Sequence, residues 1–159
     1  KKRLAGQTWR ASAGQALVEF ALALPLLILI MVAVVDLGRA FYVQTALQNS
    51  AREGARYGSV HPTWVTSTDN ADPNNIRSRA MTEPAATVAG ATVTVTCITS
   101  VGVTYDAATN KAGYITCAVS GSRIEVRVTS PFSPATPMIS AVLPPAGLTL
   151  SGHTRMVIE

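Results

Sequence analysis

Side chains able to do chemistry are sparse in this chain and widely spaced. His61 and His153 have no Ser or Cys at a spacing that would build a nucleophile–base pair, and the acids are too scattered to suggest a general acid and base on one face. There is no Gly-x-Ser-x-Gly, no His-Glu-x-x-His and no phosphate-binding glycine loop. His153 falls in a strand-like stretch, where a surface or hydrogen-bonded role is the ordinary one. Asp69, Asn70, Asp72, Asn74 and Asn75 form an oxygen-rich loop that could approach calcium. It lacks the ordered spacing and bidentate glutamate of an EF-hand, so a solvated turn is expected. A structural zinc site needs four ligands, which Cys97, Cys117 and two distant histidines do not supply. The sequence therefore predicts no catalytic residue, no metal ligand and no bound cofactor.

Two chemical features remain. Cys97 and Cys117, if paired, would close a loop of about 20 residues, worth roughly 3 kcal/mol through chain entropy; two separate buried thiols are the alternative. The other feature is Glu19, the one ionisable side chain between Ala16 and Val35. A lone carboxylate in such surroundings is costly unless it is paired, neutralised or held at a headgroup-level interface.

The element that carries Glu19 is the stretch Gly14 to Gly58. Twenty apolar residues rising about 1.5 Å each cover roughly the 30 Å hydrocarbon core of a bilayer. Helical composition continues past Asp36, predicting a helix over 15–58, on the order of 65 to 70 Å long. Pro25 removes a backbone hydrogen bond inside it, so a kink or a stretched segment is expected there. In the upper half, Ala51, Gly54, Ala55 and Gly58 make a narrow face of small residues, extended by Leu47 and Val43. That face suits close approach to the chain's own sheet or to a partner helix, and Gly58 suits a C-terminal cap.

Charge gives the topology. The chain has 13 basic and nine acidic residues, and Lys1, Lys2, Arg3 and Arg10 account for the whole formal excess of +4. A neutral remainder argues against nucleic-acid binding, and a basic segment ahead of an apolar span argues for a cytoplasmic N-terminus with the rest exported. No small-residue cleavage site follows the apolar run, so a retained anchor fits better than an excised secretory signal. Residues 1–14 read as a basic leader-like segment and 59–90 as a connector with a short helix from Pro73, capped by Asp72, to about Met81. Trp64 in that connector reads as a packing residue. Residues 91–159 read as an antiparallel β domain: strands in ATVTVTCITS, GYITCAVS, SRIEVRVTS and LTLSGHTRMVIE, a loop over Tyr105–Lys111, and a proline-rich stretch from Pro131 that cannot form a regular strand. Cys97 and Cys117 would then face each other on adjacent strands. The expected fold class is α+β, a long N-terminal apolar helix carrying a small antiparallel sheet.

Gly14, Gln15-Ala16-Leu17-Val18, Glu19-Phe20 and the following apolar helix resemble the prepilin-peptidase pattern of type IVb pilins. The longer stretch GQALVEFALALPLLILIMVAVVDLGRAFYVQTALQNSAREGARYGS is similar to the TadE family of pilin-like proteins, as is the tail VRVTSPFSPATPMISAVLPPAGLTLSGHTRMVIE. The resemblance implies a non-enzymatic pilin-like subunit, cut by prepilin peptidase between Gly14 and Gln15. It implies that Glu19, followed by Phe20, is an assembly contact to a neighbour's N-terminal amine. Without cleavage, Arg10 or a basic residue of a neighbouring copy would take the amine's place. The implied partners are copies of itself or other pilins, after residence in the cytoplasmic membrane and before display as an extracellular filament. A membrane-resident accessory of a tight-adherence pilus is the alternative.

Overall fold

The computed structural model describes residues 8–65, 75–82, 90–136 and 148–159. Helix α1 runs over Thr8–Val60 without a break at Pro25, a span of about 80 Å. Helix α2 covers Ile76–Ala80, strand β1 Thr92–Ile98, strand β2 Thr104–Asp106, helix α3 Lys111–Cys117, strand β3 Arg123–Phe132 and strand β4 Leu148–Val157. The four strands form one antiparallel sheet in the order β2-β1-β3-β4. The α+β architecture expected from the sequence is the one found.

Period-two patterning in the strands produces a dry face and a wet one. Ile124, Val126 and Val128 of β3 are buried, as are Val95 and Cys97 of β1, and the register sets Val126 opposite Val95 and Ile124 opposite Cys97. That dry face lies on the upper half of α1, where Leu47, Ala51 and Ala55 are fully buried. The small-residue face thus meets the chain's own sheet and α2. A methyl at Gly54 would stand 2.8 Å from Ala80 Cβ and 3.1 Å from Val126 Cγ1, and one at Gly58 would stand 2.5 Å from Ile124 Cδ1. Gly58 is therefore a packing glycine and not the cap expected of it; α1 continues to Val60.

The closest approach is at β4. A side chain at Gly152 would overlap the backbone carbonyl of Leu47 and lie 2.5 Å from Gln48 N. Around that contact the helix supplies partners to the edge of the sheet. Gln44 Nε2 donates to the Ser151 carbonyl at 2.9 Å, Gln48 Nε2 donates to the His153 carbonyl at 2.9 Å, and His153 N–H donates to Gln48 Oε1 at 3.3 Å. An edge strand that would otherwise offer unpaired backbone groups is thereby covered from within. His153 spends its backbone on this contact while its side chain is exposed, in keeping with a surface role.

Several local expectations need correction. GYITCAVS is not a strand: its first part is helix α3, because Asn110 Oδ1 caps it by accepting from Gly113 N–H at 2.9 Å. The place of that second expected strand is taken by β2, which overlaps the segment read as a loop. Cys97 and Cys117 do form a disulfide, with Cα atoms 6.0 Å apart, but it ties β1 to α3 and not two strands. Strand β3 also reaches Pro131 and Phe132, beyond the end of its pairing with β1, so Pro131 sits where β3 has become an edge and a missing N–H is tolerated. The rest of the proline-rich stretch, 137–147, is outside the described residues. So are Asp72, the expected cap, and Pro73. The cap seen on α2 is Asn75, whose Oδ1 accepts from Arg77 N–H at 3.0 Å. Trp64, read as a packing residue, is 39% exposed and stacks its ring on His61 with centroids 4.1 Å apart.

Replacing Gly152 by Ala should lower unfolding free energy in detergent solution by about 1–3 kcal/mol, since the obstacle is backbone that cannot rotate away. The control is Gly38→Ala, at an α1 position with nothing within 4 Å. It should leave stability unchanged or raise it by up to about 1 kcal/mol. Equal destabilisation by both would show that the helix–strand contact is not the limiting approach.

Candidate functional site

Helix α1 divides sharply into two environments. From Gly14 to Val35 nearly every residue is exposed, including Leu17, Phe20, Leu22, Leu26 and Met31 at 58% or more. The helix is long and apolar enough to cross a membrane, and none of its most apolar window is covered by the other described residues. From Asp36 upward one stripe turns inward. Asp36 is buried, Ala40 and Val43 are half-buried, and Leu47, Ser50, Ala51, Gly54, Ala55 and Gly58 are buried. The lower half therefore presents an apolar surface around its whole circumference, and such a surface needs lipid or other apolar helices around it.

Polar groups on that surface are few. Glu19 is exposed, and Gln15 Nε2, one turn below, donates to Glu19 Oε1 at 3.4 Å. Gly14 and Gln15 lie within the helix, and a side chain at Gly14 would meet nothing within 4 Å. Phe20 is 58% exposed beside Glu19. The structure thus brings Gln15, Glu19 and Phe20 together on one helical segment and leaves them open to a partner. It places Cys97 and Cys117 far along the chain in the sheet domain, as a brace and not as part of this surface.

The upper limit of the surface is set by a residue that sequence reading passed over. Asp36 is 4% exposed and accepts from Ala135 N–H at 3.0 Å, from Thr136 N–H at 2.9 Å and from the Thr136 hydroxyl. Arg39 Nη1 lies 3.5 Å from it. The carboxylate is thus saturated by the segment that follows β3 and fastens that segment to α1 at the end of the apolar run. Its position directly after Val35 was the available signal; its partners, about 100 residues away, were not visible.

A second ionic cluster stands on the other face of the sheet, where Glu125 is buried beneath its partners. Glu125, on β3, accepts from Arg127 Nη2 at 3.3 Å and from Arg155 Nε of β4. Burial pushes the Glu125 carboxyl up, but hydrogen bonds from Arg155 and Arg127, with their charges, outweigh it and hold the group below the ordinary glutamate value. Tyr114 of α3 is fully buried, its hydroxyl donating to the Pro62 carbonyl at 2.9 Å, and burial pushes the phenol upward. Both groups hold elements together. Of the loop considered for calcium, Asn75 is committed to capping α2, and Asp69, Asn70, Asp72 and Asn74 lie outside the described residues.

Residues 14–56 match the family model described as TadE-like protein. The match covers the apolar run, Glu19, Asp36 and most of the sheet-facing half of α1, and includes no part of the sheet. No curated protein and no solved structure matches the chain.

Substituting Asp36 by Ala should speed amide exchange at Ala135 and Thr136 by about tenfold or more, because each loses a charge-assisted acceptor. Protection should stay unchanged at Val126, in the middle of the sheet. Uniform loss at both places would mean that Asp36 holds the whole domain and not one segment. Glu125 makes a pH prediction of definite sign. Its folded value lies below the ordinary 4.5, so its contribution is complete above that value and is lost as pH falls through the folded value. Unfolding free energy should decline less between about pH 6 and pH 3 in Glu125→Gln than in the parent. Parallel curves would remove Glu125 as a source of acid sensitivity.

Proposed function

We propose that the protein is a non-enzymatic, pilin-like structural subunit that resides first in the cytoplasmic membrane and then assembles through the lower half of α1 into an extracellular filament. The observation that carries this reading is the apolar surface of residues 14–35, nearly all of it left bare by the described residues of the folded domain. About 33 Å of helix spans a bilayer, and the same surface can instead be covered by copies of itself. The leader 1–14 stays inside, and the sheet domain with its disulfide stands outside, in an oxidising compartment.

In this reading prepilin peptidase cuts between Gly14 and Gln15, and Glu19 is the polar contact that sets one copy against another. An exposed carboxylate with a neutral amide as neighbour is acceptable at a headgroup interface but costly inside a bundle, so it selects packings that offer it a donor or a cation. Pro25 supports the same transition. It leaves the Ala21 carbonyl without its helical donor, and the helix can bend there when its surroundings change from lipid to protein.

The test is recovery of the protein from sheared filaments and from membranes, with its N-terminal sequence, in the parent and in Glu19→Lys. The expected result is parent protein in filaments beginning at Gln15, and a loss of about tenfold or more of filament protein in Glu19→Lys with membrane protein retained. Parent protein found only in membranes would replace the filament role by that of a membrane-resident accessory. Filament protein that keeps residues 1–14 would preserve the structural role and remove the cleavage step.

A further inference from the structure

The charge pattern along α1 sets how far one copy is shifted against the next. Above Glu19 there is no base until Arg39, twenty residues on, which at 1.5 Å per residue is about 30 Å. At about 100° per residue the two side chains leave the helix roughly 200° apart, close to opposite faces. Opposite faces are what a translated, parallel neighbour requires: the residue on one side of a helix meets the residue on the other side of the next.

Arg39 is open to such a partner. Its side chain is 55% exposed, and Asp36, 3.5 Å away, already accepts from Ala135 and Thr136. The Phe132 ring centroid, 5.8 Å from Arg39 Cζ, steadies the guanidinium without consuming its N–H donors. The flank that carries Arg39 is apolar and uncovered: Val35 is 57% and Tyr42 65% exposed, although Tyr42 lies above the segment that lipid would cover. A shift of about 30 Å lays residues 16–25 of one copy along residues 36–45 of the next, which covers both. Charge complementarity and the uncovered apolar flank agree on one occupant, a second copy of this chain.

We infer that, in the assembled form, Glu19 of one copy pairs with Arg39 of a parallel neighbour shifted by about 30 Å along the helix axis. This rests on the filament reading above and specifies its register. A guanidinium suits the contact because it stays charged in an apolar interface and can grip a carboxylate with two donors.

The experiment places cysteine pairs in the full chain and oxidises the resulting filaments; Cys97 and Cys117 are already joined to each other. Leu22→Cys with Tyr42→Cys, three residues above Glu19 and Arg39 and leaving both in place, should give a ladder of linked chains, and Leu22→Cys with Val18→Cys, the offset that would set Glu19 against residue 15 of a neighbour, should not. Charge exchange is the second arm. Glu19→Arg and Arg39→Glu alone should each lower filament yield by about tenfold or more, and the two together should restore most of it. Arg39→Gln, which puts no second acid beside Asp36, should show the same loss if Arg39→Glu fails to fold. Filaments that form yet link through 22–18 and not 22–42, or that gain nothing from the charge exchange, would overturn this register and leave the filament reading standing. Protein confined to membranes with no 22–42 link would overturn both.

Discussion

The sheet domain rests on α1 at backbone contact, and the fold depends on that closeness. Gly152 touches the Leu47 carbonyl, and Gly54 and Gly58 admit Ala80, Val126 and Ile124 to the helix surface. The short distance then lets the amides of Gln44 and Gln48 reach the Ser151 and His153 backbones, so the helix completes the hydrogen bonding of the β4 edge. Burial and edge protection follow from the same absence of side chains. A larger residue at any of these positions would separate the layers and expose both the dry face and the edge.

One helix therefore serves two solvents. Its upper half buries a single stripe, as a helix on a sheet should, and its outer face turns polar at Thr45, Asn49, Arg52 and Arg56. Its lower half has no inner or outer face. Asp36 marks the change, and a buried carboxylate is a demanding marker, because each lone pair must be satisfied where water is excluded. Three donors from residues 135 and 136 meet that demand, so the domain is attached at the point where the apolar surface begins and not only through the upper sheet contact.

Much of this was legible in residue order. The apolar run, the small-residue face and the alternation in β1, β3 and β4 follow directly from periodicity, and so does the sheet face that holds Glu125 and Arg127. Helix α3 was obscured because Tyr114, Ile115, Thr116 and Cys117 have strand-like preferences; the decisive feature was Asn110 placed to cap Gly113, a local hydrogen bond outweighing propensity. Gly58 looked like a stop because glycine often ends helices, yet here Ile124 and Ile76 require the space. Asp36 was underestimated for a different reason. The sequence shows an acid after an apolar run, but only the fold brings Ala135 and Thr136 to it.

In the filament proposed above, the bare half-helix also limits what can drive assembly. Lipid tails and neighbouring apolar helices are about equally good surroundings for Leu, Ile and Val, so exchanging one for the other releases little hydrophobic free energy. Direction and register must then come from groups that the two surroundings treat differently. On residues 14–35 those are the Glu19 carboxylate, the Gln15 amide beside it and the backbone carbonyl freed by Pro25, and just above them the guanidinium of Arg39. Each is tolerable at a bilayer surface or beside water, and each gains from a fixed polar partner once packed among helices. A surface so uniformly apolar gives adhesion without position. In the proposed filament the few polar atoms on it supply the position, so that a single carboxylate in a twenty-residue apolar run sets how copies fit together more than any of its neighbours does.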